Sequence, residues 1–330
     1  MDQKLKKIYN YIKNNDSVSD VCAKLNITEE ELKGLIEMLR VYGYNVSLLD
    51  NDMIQKKRVY KTDKDNIKLD YSKTEEIKLC VISDTHMGNK LEQLTLLNEV
   101  YKEANDRGIT TVLHCGDLTD GDYRNKRPAH PYELFAQGFD EQTENVIENY
   151  PYVEGITTYF IGGNHDATHF INGGATVGKW VSKVRDDMEF LGVNEAYFYP
   201  SGKSNFKIKM QHPGGGVSKS LSYKPQEAIN KMMSGDKPKI LLQGHYHKSY
   251  YMFYRNVHAF LVPSLVDQSE FMKANDMQNI VGAYFLNINI NKKGEIEYLM
   301  PEVKLFGQKD YIKDDYKTAK RLVIKKEVGK

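Results

Sequence analysis

Five short polar motifs interrupt the sequence: Asp84-Thr85-His86, Gly116-Asp117, Gly163-Asn164-His165-Asp166, a single His212 in Gln211-His212-Pro213, and Gly244-His245-Tyr246-His247. Four of the five clearly follow a short apolar stretch. If those stretches are strands of an α/β fold, ligands collect beyond their carboxyl ends, and side chains far apart in the chain can converge. Singly, each motif is weak, since a lone Gly-Asn-His or Gly-Asp is usually a turn and a lone His-x-His often a surface pair. The ordered set demands a fold that brings several strand ends together. Carboxylate and amide oxygens with several imidazoles suit manganese, iron or zinc, and suit calcium poorly.

The chain of 330 residues has room for one large domain and a smaller one. Up to about Tyr60 the apolar residues recur at helical spacing, as in Leu5, Ile8, Tyr9 and Ile12, and again in Leu32, Leu35, Ile36 and Leu39. Val18 to Leu25 reads as a short helix, and Thr28 with Glu31 reads as a capping box for the next one. Gly43 ends that helix, and Tyr44 to Leu49 and Met53 to Tyr60 alternate like a hairpin. Residues 1–60 therefore resemble a winged helix-turn-helix module. Residues 61–75 are polar and aperiodic, a linker, and residues 76–305 form the main domain, followed by a Lys-rich tail at 306–330. Within the main domain, strands are predicted at Ile77–Ser83, Thr110–Cys115, Ile156–Ile161, Glu195–Tyr199, Phe206–Gln211, Lys239–Gln243, Ile280–Ile290 and Ile296–Val303. Helices are predicted at Leu91–Asp106, Tyr132–Tyr150 and Val177–Leu191. This alternation predicts an α/β sandwich of two sheets flanked by helices.

With the motifs in place, the chain resembles the calcineurin-like metallophosphoesterase superfamily over roughly residues 77–265. Ser83-Asp84-Thr85-His86-Met87-Gly88 and Gly116-Asp117-Leu118-Thr119-Asp120 look most like its repair-exonuclease branch. The resemblance implies two divalent cations, manganese first and iron or zinc after it. Asp84, His86 and His247 would hold one, Asn164, His212 and His245 the other, and Asp117 would bridge them. Two such ions can clamp a phosphoryl group for in-line attack by water. His165 would steady or protonate the departing oxygen, with Asp120 as the carboxylate orienting its ring. In the phosphomonoesterase branch an arginine follows the position of Asp120, and the fourth residue of the Gly-Asn-His motif is Glu. Here Gly121 and Asp166 stand there, with Arg124 and Arg127 close by.

Other residues have plainer readings. Cys80 and Cys115 lie inside predicted strands as core thiols, and three cysteines without paired spacing exclude a disulfide framework or zinc ribbon. His114 packs behind the site, His130 and His169 sit in loops that could meet substrate, and His258 is structural. Asp166 braces the Asn164 turn. Gly173 to Lys179 imitates a phosphate loop, but Trp180 stands where Ser or Thr should follow and no clear strand leads into it.

Lys and Arg (46) nearly cancel Asp and Glu (45), which excludes nucleic-acid binding by bulk charge. Residues 1–73 carry 14 basic against 12 acidic residues, a net of +2, and the presumed recognition helix opens on Glu29, Glu30 and Glu31. Basic residues gather instead at Lys56, Lys57, Arg58 and Lys61, where a wing could meet a nucleic-acid backbone. The competing reading for the small domain is partner docking or dimerisation, with a homodimer as the assembly. No apolar run approaches the ~20 residues that cross a bilayer, so no membrane is expected and the location is cytoplasmic. The expected activity is metal-dependent hydrolysis of phosphodiester bonds, with DNA as substrate. The alternative is a phosphomonoesterase or protein phosphatase using the same site.

Overall fold

A computed structural model of the chain describes residues 8–12, 16–41, 46–48, 52–56, 67–68, 76–200, 206–216, 218–291 and 293–325. The chain divides into two compact units, Met1–Thr62 with Gln226–Lys237, and Asp63–Pro225 with Pro238–Lys330.

In the first unit, β1 (Asp16–Ser17), β2 (Val46–Leu48) and β3 (Met53–Lys56) form an antiparallel sheet in the order β1-β3-β2. Helices α1 (Val18–Leu25) and α2 (Glu29–Val41) lie between β1 and β2 in sequence. The capping box is present: Glu31 Oε2 accepts from the Thr28 amide at 2.8 Å, and Thr28 Oγ1 accepts from the Glu31 amide at 3.2 Å. Val18, Val21, Leu32, Ile36, Leu39, Val46 and Ile54 pack into one small core, as the helical spacing predicts. Of the first expected helix, Ile8–Tyr11 are helical and Leu5 lies outside the described residues.

The second unit is α/β, with two six-stranded mixed sheets. One has the order β16-β15-β5-β6-β8-β9, built from β5 (Glu76–Ile82), β6 (Thr111–His114), β8 (Thr157–Ile161), β9 (Met188–Gly192), β15 (Val281–Ile290) and β16 (Ile296–Phe306). Its strands β5, β6, β8 and β9 run parallel, and β15 and β16 are antiparallel additions. The other has the order β13-β14-β12-β11-β10-β4, from β4 (Ile67–Lys68), β10 (Glu195–Tyr199), β11 (Ile208–Gln211), β12 (Ile240–Gln243), β13 (Tyr250–Tyr254) and β14 (Val257–Leu261).

Strand periodicity sets the layers. Leu79 and Val81 of β5 point one way, into a core shared with Phe198, Met210, Leu242 and Phe260 of the other sheet. Cys80 and Ile82 point the other way, into a core formed with helices. In α3 (Leu94–Asp106) the residues Leu94, Leu97, Val100, Tyr101 and Ala104 repeat at three and four positions and are all buried. α4 (Gly138–Asn149), α5 (Asp166–Gly173) and α6 (Val177–Val184) follow, the first and last placing Val146, Val177 and Val181 in the same core. Cys80 and Cys115 are fully buried, and burial pushes both thiols up.

Four expectations need correction. The helix predicted from Val177 to Leu191 ends at Val184, and β9 follows. Arg185, nearly buried, turns the chain there by bonding Asp187 and the carbonyls of Ile147, Tyr150 and Pro151. The helix predicted from Tyr132 to Tyr150 begins only at Gly138. Before it, His130–Glu133 form a short 3-10 turn, and the amides of Phe135 and Ala136 donate to the Gly88 carbonyl instead of continuing a helix. Inside the predicted linker, Ile67–Lys68 form β4 and pair in parallel with β10.

Finally, residues after Phe306 are not a loose tail. Asp315, completely buried, accepts from the Thr95 amide at 2.7 Å and from Thr95 Oγ1 at 2.6 Å, serving as a cap in trans for α3, whose own Gln93 side chain makes no cap bond. Tyr316 stacks on Phe135 at 4.6 Å, and β17 (Val323–Ile324) pairs with β7 (Tyr152–Val153). Asp315→Ala should destabilise the protein by about 1–2 kcal/mol, the usual cost of losing a helix cap, in a urea titration followed by circular dichroism.

Candidate metal centre

All five motifs begin at strand ends. Asp84 and His86 follow β5, Asp117 follows β6, and Asn164 follows β8, all in one sheet. His212 follows β11, and His245 and His247 follow β12, in the other. The site therefore lies where the carboxyl ends of both sheets meet, as the topology of open α/β sheets favours. Five of the seven ligand candidates sit in left-handed backbone: Asp84 (φ 52°), His86 (46°), Asp117 (52°), His245 (76°) and His247 (51°). Such conformations each cost of order 1 kcal/mol or more and persist where the surroundings fix them.

The side chains form two groups. In the first, His247 Nε2 stands 3.2 Å from Asp84 Oδ1 and 3.3 Å from His86 Nε2. In the second, His212 Nε2 stands 3.0 Å from Asp117 Oδ2 and 3.1 Å from Asn164 Oδ1. Asp117, His212 and His245 offer ligand atoms within 4.8 Å of one another, as do Asp84, His86 and His247. One oxygen of Asp117 faces both groups, where it could serve two cations. Oδ2 faces His212 and lies 3.9 Å from His86 Nε2, while Oδ1 accepts from the His165 amide at 2.8 Å.

In each ring the outward nitrogen is held by a hydrogen bond, so the inward nitrogen is the one that can ligate a cation. His212 Nδ1 donates to the Cys115 carbonyl at 2.8 Å, His247 Nδ1 to Asn279 Oδ1 at 2.9 Å, and His86 Nδ1 to Asp120 Oδ1 at 2.7 Å. His245 Nε2 donates to the Gly215 carbonyl at 2.7 Å, which leaves its Nδ1 for the second group. The inward nitrogens thus crowd carboxylate and amide oxygens, and Asp84 Oδ1 is buried with no hydrogen-bond partner. Imidazole nitrogens, carboxylates and an amide oxygen packed together fit cations. Burial disfavours charge on His86 and His212, but carboxylates outweigh it: Asp120 and Asp84 hold His86 well above the usual imidazole range, and Asp117 raises His212 to about 9. Cations entering the cage would displace those protons.

Around the cage, partners are fixed by buried bonds. The Asp120 carboxylate receives His86 on one oxygen, and His130 Nε2 (2.9 Å) and Asn89 Nδ2 (2.9 Å) on the other. It does not orient His165, as expected from sequence; the main-chain carbonyl of Asp120 does so, accepting from His165 Nδ1 at 2.6 Å. The carboxylate lies 3.5 Å from that nitrogen and is already committed. Burial pulls His165 down to about 4 against the attraction of Asp117, so its ring is neutral near pH 7.

His114 is behind the site, donating from Nε2 to Thr85 Oγ1 at 3.0 Å, and burial pulls it down to about 4. Asp166 braces the turn as expected, accepting from the amides of Leu118, Thr119 and Gly163. His130 and His169 are buried (1% and 4% exposed) on Asp120 and Gln142, away from the role of meeting substrate. His258 pairs with Tyr251 at 2.8 Å. Gly173–Lys179 spans the end of α5 and start of α6, with no strand before it. Lys56 ends β3, while Lys57, Arg58 and Lys61 lie outside the described residues.

Sequence reasoning missed Tyr123, Asn89, Gln142 and Asn279. Gln142 spans the turn at Gly121, accepting from its amide at 2.8 Å and donating to its carbonyl at 2.9 Å. Gly121 has φ +72°, and a Cβ there would meet the His165 carbonyl at 2.2 Å. An arginine, as in the phosphomonoesterase branch, would not fit this turn without moving backbone.

The donor set and its place at the strand ends define a metal-dependent phosphoesterase. Residues 77–276 match the family described as calcineurin-like phosphoesterase, and the chain belongs to that family. No curated protein matches it. Similar solved structures include an archaeal phosphodiesterase, 13% identical, covering 69% of this chain and 100% of that one with a TM-score of 0.39. The Escherichia coli phosphoesterase Yfce is 14% identical, covering 68% of this chain and 98% of that one with a TM-score of 0.35. Zinc-complexed Vps29 of Entamoeba histolytica is 14% identical, covering 70% and 100%, with a TM-score of 0.33. Among the described residues no helix is long and apolar enough to cross a membrane.

Two predictions follow from this geometry. Asp117→Ala should lose bound manganese, whereas His165→Asn should retain both ions in elemental analysis and lose about 10²–10⁴ in kcat. Separately, Glu92 is buried where its carboxylate accepts from Gly88 and Asn145, and burial raises it from 4.5 to about 8. The folded chain then holds this proton more tightly than the unfolded one, so stability falls as pH rises from about 4.5 to about 8. Glu92→Gln should flatten that part of a profile of unfolding midpoint against pH.

Proposed function

We propose that the protein hydrolyses phosphodiester bonds and that its substrate is nucleic acid, DNA first. One observation carries this reading. A cavity of about 430 Å³ opens on His86, His165, His245 and His247, and its far wall is apolar, with Leu91, Val266, Phe271, Met272 and Met277. A phosphate monoester has little use for such a wall, whereas the organic arm of a diester gains from burying against it. A second cavity, of about 690 Å³, shares Tyr123, Lys126 and Asn164 with the first and is lined by Asn125, Asn172, Asn194 and Gln211. A diester has two arms, and the cage borders both cavities.

Two divalent cations held by the seven side chains would activate water and offset charge on the phosphoryl oxygens. His165 is fixed through Nδ1 and keeps Nε2 for the substrate side. A neutral imidazole there would take up a proton from solvent water once a phosphate anion lies beside it and would pass that proton to the leaving oxygen. Arg127 lines the same cavity, its guanidinium 5.0 Å from the Tyr123 ring and 5.3 Å from the Phe271 ring. It supplies the cation that Gly121 cannot, at a position suited to a single phosphate charge. Arg124 is held by Asp122 at 2.7 Å.

The motifs around Asp84 and Asp117 support placing the chain beside the repair exonucleases. The helices and antiparallel hairpin of the first unit support a winged-helix-like reading. Because α2 opens on three glutamates, contact with DNA there would fall to the hairpin and its basic residues rather than to α2.

The test is hydrolysis with manganese of single-stranded DNA, duplex DNA, a diester dye and a monoester dye. DNA and the diester dye should be cleaved faster than the monoester. Cleavage of the monoester alone would overturn the reading. Arg127→Gln should raise KM for the diester by about tenfold with a smaller change in kcat, the signature of lost ground-state contact with phosphate.

A further inference from the structure

We infer that Tyr123 is a positioning residue that turns the Asn164 carboxamide so that its oxygen faces the second cation position. The inference rests on reading the cage as dinuclear. A carboxamide has two ends of nearly equal shape, and only the oxygen can ligate a cation. Turned by 180°, Asn164 would present an NH₂ group toward His212 and Asp117.

What decides between the two orientations is the direction of hydrogen bonds at one hydroxyl. Tyr123 Oη donates to the main-chain carbonyl of Asn164 at 3.1 Å. Its proton is thereby committed, so it presents a lone pair to the side chain, and Asn164 Nδ2 donates to it at 2.8 Å. The oxygen end is left 3.1 Å from His212 Nε2, on the side where Asp117 Oδ2 also lies. In the flipped state Oδ1 would face an oxygen with no proton to give.

The hydroxyl can do this because the ring cannot move. It stands edge-on to His165 with centroids 4.7 Å apart and to His130 with centroids 5.7 Å apart, and Arg127 lies over its face. The Tyr123 amide donates to His130 Nδ1 at 3.2 Å. His130 is in turn bound to Asp120, so the ring hangs from the same carboxylate that aligns His86.

The experiment is manganese titration of the full chain by calorimetry, comparing wild type with Tyr123→Phe. Phenylalanine keeps the ring and removes only the hydroxyl. The tighter step should be unchanged and the second weakened by about 10- to 100-fold, the usual loss when an outer partner of a ligand is removed. In an Asn164→Asp background, where both oxygens are equivalent, Tyr123→Phe should weaken the second step no more than about twofold. Equal affinities in wild type and Tyr123→Phe would overturn the proposal. So would a loss shared by both steps together with a lowered thermal midpoint, which would mark a merely structural role. A wild-type chain that binds only one manganese would overturn both this assignment and the dinuclear reading.

Discussion

Three carboxylates, those of Asp84, Asp117 and Asp120, are almost completely removed from water and face the same few imidazoles. Everything at the top of the sandwich answers to that concentration of charge. Burial alone would drive each carboxyl toward its neutral form, yet the histidines around them hold all three below the usual carboxylate range. The compensation is structural as well as electrostatic. Asp84 Oδ2 accepts from the His245 amide at 3.0 Å, and Asp117 Oδ1 from the His165 amide. The chain bends into left-handed backbone at five ligands because only then can short loops turn these groups toward one point while their amides remain bonded.

The two sheets make that convergence possible. Their parallel strands end side by side, so loops from β5, β6 and β8 meet loops from β11 and β12 without a long excursion. Asp166 ties the β8 loop to the β6 loop, and tight backbone packing does the rest. A Cβ on Gly163 would meet Asp117 Oδ1 at 2.2 Å, so the loop must approach as bare backbone. At its other end α3 is held by Asp315 from the far C-terminal segment. The loop between β5 and α3, which carries Asp84 and His86, is therefore anchored on both sides.

The cage was legible in the sequence because cations restrict their ligands to a few residue types, and those types recur after apolar strands at each motif. The strands were legible for a related reason: parallel strands buried on both faces must be apolar nearly throughout, as in Ile240–Gln243. The helix at Val177 was misread beyond Val184 because Phe190 and Leu191 continue an apolar pattern, whereas the turn depends on Arg185 finding carbonyls near residue 150, which no local window contains. Tyr123, Asn89, Gln142 and Asn279 were invisible for the same cause. Each acts through a partner distant in sequence, as Asn279 does on His247, and a lone Asn or Tyr carries no signal of its own. The C-terminal strap looked like a tail because lysines dominate its composition, while its hold on the body comes from single residues, Asp315 and Tyr316.

Asp120 shows most directly why geometry corrects a residue-type argument. A carboxylate beside a histidine looks like the partner that primes it, and pairing with a full negative charge would raise the proton affinity of His165. The structure hydrogen-bonds that charge to His86 and His130 instead and gives the His165 Nδ1 proton to the neutral carbonyl of the same residue, with the carboxylate 3.5 Å away. Fixed by a dipole rather than an ion, the His165 ring is oriented without being charged. Its Nε2 carries no proton and borders the cavity. One residue, Asp120, thereby separates two tasks that would otherwise conflict: its side chain aligns the His86 ring toward the cage, and its backbone aligns the His165 ring on the cavity without charging it.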